Sequence, residues 1–266
     1  MTPNILVFCH RSEGTGKSVS ALNLAYEWAR AGINTLVIDF DPDAPLTQIV
    51  LRGMALAQQG LPDLSQLDQL NAHQWMLGEQ QMTAEHLGLA VCEHLWVLPG
   101  KLGFMGEDAH VQMYQLKQRL QAQAAELAKI QRIIIDTPPN LDPWVINALQ
   151  AAQVLVIPFI PDMDQVLDTR SWMHLVKQIS QRHNPQVQTL LLPTHWRKKD
   201  TEQEQVLHEL GEHFGHETLL RGIREHASIR EAAAKGQSLQ KAAPQSLGAF
   251  DYHLFAEALE VYLGAS

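Results

Sequence analysis

Residues 9–18 read Cys9-His10-Arg11-Ser12-Glu13-Gly14-Thr15-Gly16-Lys17-Ser18. Gly14, Gly16, Lys17 and Ser18 form a loop that can wrap backbone N–H groups around a polyphosphate. The same loop sets an ammonium on the β- and γ-phosphates and offers a hydroxyl to Mg²⁺. The flanks supply the required context. Asn4–Phe8 is a short apolar run that predicts a buried strand, and Ala21, Leu24, Ala25 and Trp28 recur at helical spacing from Lys17 until Gly32 ends the pattern. Strand, Gly-rich turn and helix in that order aim the helix's free N–H groups and positive dipole end at an anion. A Gly-rich turn without a ligand is the plain alternative, and it leaves Lys17 without a role. The general pattern for such loops asks for Gly at position 11, where this chain has Arg11.

Working outward, apolar runs at Thr35–Phe40, His94–Leu98, Ile130–Ile135, Val154–Phe159 and Val187–Leu192 predict five more strands, with helical stretches between most of them. Continuous Val/Ile/Leu strands alternating with helices predict an α/β fold: a doubly wound, mostly parallel sheet with helices on both faces. Right-handed crossovers bring the strand ends to one edge, where ligands of such sheets bind. Asp39–Asp43, Asp136–Asn140 and Ile160–Asp164 thereby converge on the loop. Residues 51–92 are rich in Gln and Leu and predict short helices with no assignable chemistry. No repeat, linker or composition break divides the chain, which reads as one domain over residues 1–266.

Two acidic segments complete the expected site. Asp136 directly follows a buried strand and is followed by Thr-Pro-Pro, a place from which a carboxylate can hold Mg²⁺ through water. A strand-end aspartate capping a turn is the bland reading. In Asp39-Phe40-Asp41-Pro42-Asp43 the acids alternate, and one of them can orient or deprotonate a water near the γ-phosphate. A solvated Asp/Pro turn is the alternative there.

Together these segments resemble the ParA/MinD family of deviant-Walker P-loop ATPases. The loop, Asp-x-Asp-Pro with Thr47 after it, Leu-Trp-Val-Leu-Pro-Gly at 95–100, Asp-Thr-Pro-Pro, and Ile229-Arg-Glu-Ala-Ala-Ala-Lys-Gly236 occur in the family's order. The resemblance implies ATP, ADP and Mg²⁺ as ligands, a nucleotide-dependent homodimer, slow ATP hydrolysis, and the positioning of plasmids, chromosomes, division proteins or organelles. Carried over by motif position, Glu13, Gly14, Thr15, Gly16, Lys17, Ser18 and Val19 surround the nucleotide, and Ser18, Asp41 and Asp136 serve the metal. Lys17 and Asp41 are the expected catalytic groups, Asp41 positioning the water. Thr194, next to Pro193, and Ile223 lie where family members approach the adenine ring.

The loop also departs from the family. Its first lysine, which reaches across the dimer to the partner's nucleotide, is replaced by Ser12, and its first glycine by Glu13. A serine supplies no charge to a triphosphate, and an inward-turned Glu13 repels one. Either another cation takes over, Arg11 being the nearest and Arg170 a second candidate, or cross-dimer activation is lost. Serine at this position also resembles the carboxysome-positioning McdA branch, in which a lysine elsewhere takes over. Here no lysine lies between Lys129 and Lys177. A nucleotide-holding regulatory module with little hydrolysis is therefore the alternative to a timed ATPase. A small-molecule kinase or ligase on a related fold, such as dethiobiotin synthetase, is a third reading. Reductase chemistry at an iron–sulfur cluster needs cysteine spacings that Cys9 and Cys92 lack.

Charge and composition bound the partners. The 266 residues carry 20 basic and 29 acidic groups, so nucleic-acid contact requires a local patch. Residues 219–245 hold five basic side chains (Arg221, Arg224, Arg230, Lys235, Lys241) against Glu225 and Glu231. ParA-like members bind DNA non-specifically near this end, so Arg221, Arg224, Lys235 and Lys241 are the candidate phosphate contacts. Ordinary solvated cations are the competing reading. The family also implies a ParB-like or McdB-like adaptor protein. MinD-like members end in a basic membrane-binding helix, but Leu247–Leu263 has no Lys or Arg, so no membrane partner is expected. No apolar run approaches the roughly 18 residues that span a bilayer, the cysteines show no redox spacing, and the start resembles no secretion signal. A cytoplasmic protein, associated with the nucleoid if DNA is bound, is the expectation. His208-Glu209 opens like a zinc-protease motif, yet Glu212 stands where the second histidine belongs and His213 with His216 finds no third ligand in sequence. That stretch reads as a polar helix face.

Overall fold

The structure, a computed structural model, describes residues 3–57, 67, 70–101 and 111–264. Seven strands form one sheet: β1 (Asn4–Phe8), β2 (Thr35–Asp39), β3 (Leu89–Cys92), β4 (Leu95–Leu98), β5 (Arg132–Asp136), β6 (Val154–Phe159) and β7 (Gln188–Pro193), in the order β3-β4-β2-β5-β1-β6-β7. All neighbouring pairs are parallel except β3 with β4. The six expected strands are present, and the sheet is the mostly parallel, doubly wound one that their patterning predicted. Three starts move inward, that of β7 by one residue to Gln188. His94 has φ +65° and turns the β3–β4 hairpin, and β5 begins at Arg132 and runs on to Asp136.

Strand residues alternate between two cores, which is why their sequences are apolar throughout. Val7, Ile38, Ile135 and Ile157 face one helical layer with Trp144, Trp172, Met173 and Val206. Leu6, Phe8, Val37, Ile134 and Val156 face the other with Leu24, Trp28, Phe255 and Leu259. The first layer takes α4 (Gln115–Ala122), α5 (Pro143–Ala151), α6 (Met163–His183) and α7 (Thr201–Phe214); the second takes α1 (Lys17–Arg30) and α10 (Leu247–Leu263). Within residues 51–92, the described helices are the end of α2 (Pro45–Leu56) and the short α3 (Ala72–Leu77), while residues 58–66 and 68–69 lie outside the described residues. The antiparallel edge strand β3 corrects the helix-only expectation for this region. Its half-exposed alternation is what a short edge strand shows, and four residues are too few to stand out in a Gln/Leu-rich stretch.

Beyond β7, residues 219–225 run alongside the chain as a further extended segment. Leu191 pairs with Leu219 and Trp196 with Arg224, and the Ile223 amide donates to Pro193 O at 2.8 Å. This places Ile223 beside Thr194. The segment Ile229–Gly236 then carries α8 (Ala227–Ala234) onto α2, where Gly236 and Gly53 meet backbone to backbone: a Cβ on Gly236 would lie 2.1 Å from Gly53 N and 2.4 Å from Ile49 O. The short α9 (Leu239–Ala242) follows, its first amide donating to Asn23 Oδ1 of α1 at 3.2 Å.

Gly236 has φ +62° and Gly32 has φ +79°, but around Gly32 a Cβ meets nothing within 4 Å. Gly32→Ala is expected to cost only the left-handed strain of about 1–2 kcal/mol. Gly236→Ala adds overpacking against α2, for roughly 2–4 kcal/mol in all. Denaturant midpoints measure both; equal losses would show that the α2–α8 contact is slack.

Candidate phosphate and metal site

Gly14 (φ +72°) and Gly16 (φ +81°) adopt backbone that L side chains rarely hold, and a Cβ on Gly14 would point into open space. Gly16 occupies the N-cap of α1 with no side-chain hydrogen bond, and no acid sits in the helix's first turn. The first N–H groups of α1 are therefore left for an anion. Thr15 and Lys17 are buried, and the Lys17 ammonium folds back 3.3 Å from Ser12 O. The Thr194 hydroxyl donates to Thr15 O (2.9 Å) and Phe159 O (3.0 Å), fastening the loop to the ends of β6 and β7.

Beneath the loop the sheet register sets carboxylates side by side, Asp39 opposite Asp136 at the ends of β2 and β5. Both are fully buried. Asp39 is saturated: Oδ2 accepts the Thr47 amide (2.9 Å) and hydroxyl (2.7 Å), and Oδ1 accepts the Asp41 amide (3.2 Å). The Thr47 hydroxyl in turn accepts the Gly100 amide at 2.9 Å, which joins β2, α2 and the end of β4. A Cβ on Gly100 would lie 2.9 Å from the Ala44 Cβ, so only glycine lets the chain pass that close. Burial pushes Asp39 up to about 7 despite those bonds. Asp136 differs: neither of its oxygens makes a hydrogen bond of normal geometry, although the Ser18 hydroxyl lies close enough to act on it. Burial and then the Asp39 charge raise its pKa well above the carboxylate range, against the pull of the Ser18 hydroxyl and the Lys17 ammonium. Asp41 is nearly buried, accepts the Asp43 amide at 2.9 Å, and has its pKa raised by burial.

Of the two acids of the Asp39–Asp41 pair, Asp39 is thus the structural one, and Asp41 faces the cleft. That cleft, of about 420 Å³, is lined by residues 13–19 with Asp41, Asp43, Pro139 and His195. A more apolar neighbour of about 280 Å³ shares Gly16, Val19 and His195 with it and adds Thr194, Ile223 and Tyr252. A larger hollow of about 600 Å³ lined by Tyr26, Arg30, Met54, Cys92 and Lys241 lies elsewhere and contains none of these loop residues. Size therefore does not select the site; the loop and its carboxylates do.

Arg11 does not enter the cleft. Its guanidinium pairs with Asp168 of α6, and the Ser12 hydroxyl donates to the other oxygen of that carboxylate at 2.5 Å. This pairing, chiefly the Arg11 hydrogen bond, holds Asp168 below the usual carboxylate range. The adjacent His10 is buried, accepts the Ser12 amide on Nδ1 at 2.9 Å, and is driven down to about 4 by burial and the Lys17 charge. A neutral imidazole thus braces the turn. Arg170 is engaged too, with Glu209 at 2.7 Å. Arg11 and Arg170 are both engaged in intrachain ion pairs. Glu13 is exposed and, like Lys17, is close enough to Asp41 to influence it.

Arg224 is likewise not a free surface cation. Its Nε and Nη2 donate to the two oxygens of buried Asp251 at 2.8 and 2.6 Å, and its amide donates to the same carboxylate at 3.0 Å. The pairing holds the Arg224 guanidinium within the chain. The partner lies 27 residues on, where no local charge count sees it. Arg221, Lys235 and Lys241 are exposed, with Arg221 stacked 5.8 Å over the Phe250 ring. Cys9 is buried and its thiol pushed up to about 12, which leaves it inert. Among the described residues no helix is long and apolar enough to cross a membrane.

A family model described as an AAA domain matches residues 3–189. The chromosome-partitioning ATPase Soj of Thermus thermophilus is 26% identical over 254 residues, covering 95% of this chain and 93% of its own. Among solved structures, a plasmid partition protein of Borrelia burgdorferi bound to AMPPNP superposes with a TM-score of 0.75 at 20% identity, covering 97% of this chain and 98% of that one. Apo McdA from Cyanothece gives 0.76 at 19% identity, covering 98% and 99%. The family-model match covers well over half of the chain, which belongs to the AAA-domain family of P-loop ATPases, among its ParA-like members.

Proposed function

We propose that this chain binds ATP with Mg²⁺, pairs with a second copy while the triphosphate is bound, and positions a cargo through non-specific DNA contact and an adaptor protein. The observation that carries this reading is Asp136: a buried carboxylate with neither oxygen in a hydrogen bond of normal geometry, at the floor of a glycine-lined loop. Burying such a group is costly unless a cation or donor arrives. In this reading the Ser18 hydroxyl holds the metal, Asp136 supports it through water, and Asp41 borders it. The amides of residues 13–18 and the Lys17 ammonium cradle the phosphates. Val19, Thr194 and Ile223 wall the base. Bound there, magnesium neutralises charge on the phosphate oxygens. Asp41 orients and deprotonates the attacking water, a role its raised pKa suits by making it a stronger base.

The ion pairs of Arg11 and Arg170 favour a second reading, a regulatory module that holds nucleotide and hydrolyses little of it. With both cations tied within the chain, neither is poised to cross to a partner's triphosphate.

Lys17→Ala should weaken ATP binding about a hundredfold or more by removing a charge-assisted phosphate contact. Calorimetry on the folded variant measures this, and unchanged affinity would refute the loop assignment. Turnover with DNA and the adaptor separates the two readings: an ATPase loses about 10²–10⁴-fold in Asp41→Ala with binding retained. A module shows negligible turnover before and after. For DNA, reversing Arg221, Lys235 and Lys241 to Glu should abolish retention and flatten the salt dependence. Arg224→Ala should instead cost about 3 kcal/mol of folding stability by stranding Asp251. Intact DNA binding in the triple variant would move the contact elsewhere.

A further inference from the structure

The C-terminal end of α7 gathers three ligand-bearing side chains that the nucleotide site does not use. His208 and Glu212 are one turn apart on the exposed face of α7. The helix stops at Phe214, Gly215 turns the chain with φ +96°, and His216 folds back so that its Nε2 lies 3.0 Å from Glu212 Oε1. One ligand atom from each of the three residues falls within 4.8 Å of the others. The rings of His208 and His216 stand 6.0 Å apart at 35°, flanking the carboxylate between them.

The placement of His216 is built into the backbone. Its imidazole covers Gly211, where a Cβ would sit 2.3 Å from Nδ1 and 2.5 Å from Cε1. Glycine within a helix costs up to about 1 kcal/mol against alanine, and here, in the last turn, it clears the space the ring occupies. The turn itself is pinned: the Gly215 amide donates to Gly211 O (2.9 Å), the Thr218 hydroxyl to Gly215 O (2.8 Å), and the Tyr262 hydroxyl to Glu217 O (3.1 Å).

The geometry points to a divalent transition-metal site, formed by His208, Glu212 and His216 and best suited to Zn²⁺. Two imidazoles and a carboxylate are the donor set zinc takes with an open fourth position, which water fills. Tetrahedral bonds of about 2.0–2.1 Å need the donors about 3.3 Å apart. The Glu212–His216 pair already meets this, and the exposed His208 closes the rest by side-chain rotation. Mg²⁺ prefers an all-oxygen shell and does not compete. The ion would staple the end of α7 to the turn that leads into the strand-like segment beside β7. A second histidine pair, His174 with His213 at 3.0 Å between Nε2 atoms, lies nearby but brings no third ligand into the cluster.

Untagged protein titrated with Co²⁺ and then Zn²⁺ in excess Mg²⁺ tests this. One equivalent of Co²⁺ should give visible d–d absorption that Zn²⁺ bleaches, and Zn²⁺ should raise the melting temperature. His216→Ala and Glu212→Gln should each weaken binding at least tenfold and remove the thermal shift. His213→Ala should leave both unchanged, and ATP affinity should be the same throughout. Absence of saturable binding, unaltered affinity in His216→Ala, or an equal loss in His213→Ala would overturn the site.

Discussion

Two fully buried carboxylates ending adjacent parallel strands set the terms for the rest of this molecule. Parallel pairing of β2 with β5 in register makes Asp39 and Asp136 neighbours, and burial opposes charge on both. Like charges at that spacing in a low-dielectric interior resist joint ionisation. The chain answers the two differently. Asp39 receives three donors and becomes a fixed anchor for Thr47, and through it for Gly100. Asp136 makes no hydrogen bond of normal geometry. The asymmetry turns one acid into scaffold and keeps the other open for a ligand.

The same economy governs the cations. Lys17 is the nearby positive charge that both Asp41 and Asp136 sense, and it also helps to keep His10 neutral. Arg11, which the sequence sets three residues before the first loop glycine, pairs outward with Asp168 instead. Asp168 accepts from Ser12 as well, so one α6 carboxylate holds both residues at the start of the loop. The pair is about half exposed on the Arg11 side, where such bonds are worth little by themselves. The Ser12 bond and the buried His10 beneath it give the arrangement its definition.

Much of this was legible in the sequence, and the physical reason is locality. The strand, loop and α1 are contiguous, and continuous apolar strands declare a sheet covered on both sides. The acids at 39, 41 and 136 could be placed because a parallel sheet brings its strand ends to one edge. What escaped reading depends on partners far along the chain or on weak local signals. Arg11 meets Asp168 across 157 positions, and Arg224 meets Asp251 only after α8 and α9 have turned the chain back. Resemblance alone selects Asp41 over Asp39; the physical ground for it is Thr47, which comes back to saturate Asp39. β3 was invisible because a four-residue edge strand, half exposed and shifted by a bulge, has no periodicity to count.

The histidines show the limit most clearly. In sequence, His208, Glu212 and His216 fit no helical zinc motif, because the second histidine of the familiar spacing is missing and the third residue falls beyond the end of α7. Helical spacing joins the first two. Joining the third takes a glycine at 215 to reverse the chain and a glycine at 211 to admit the ring. A glycine inside an amphipathic helix ordinarily signals only lost stability. Here its absent side chain is filled by an imidazole from the following turn, so the pair of glycines encodes the geometry that the ligand spacing alone does not.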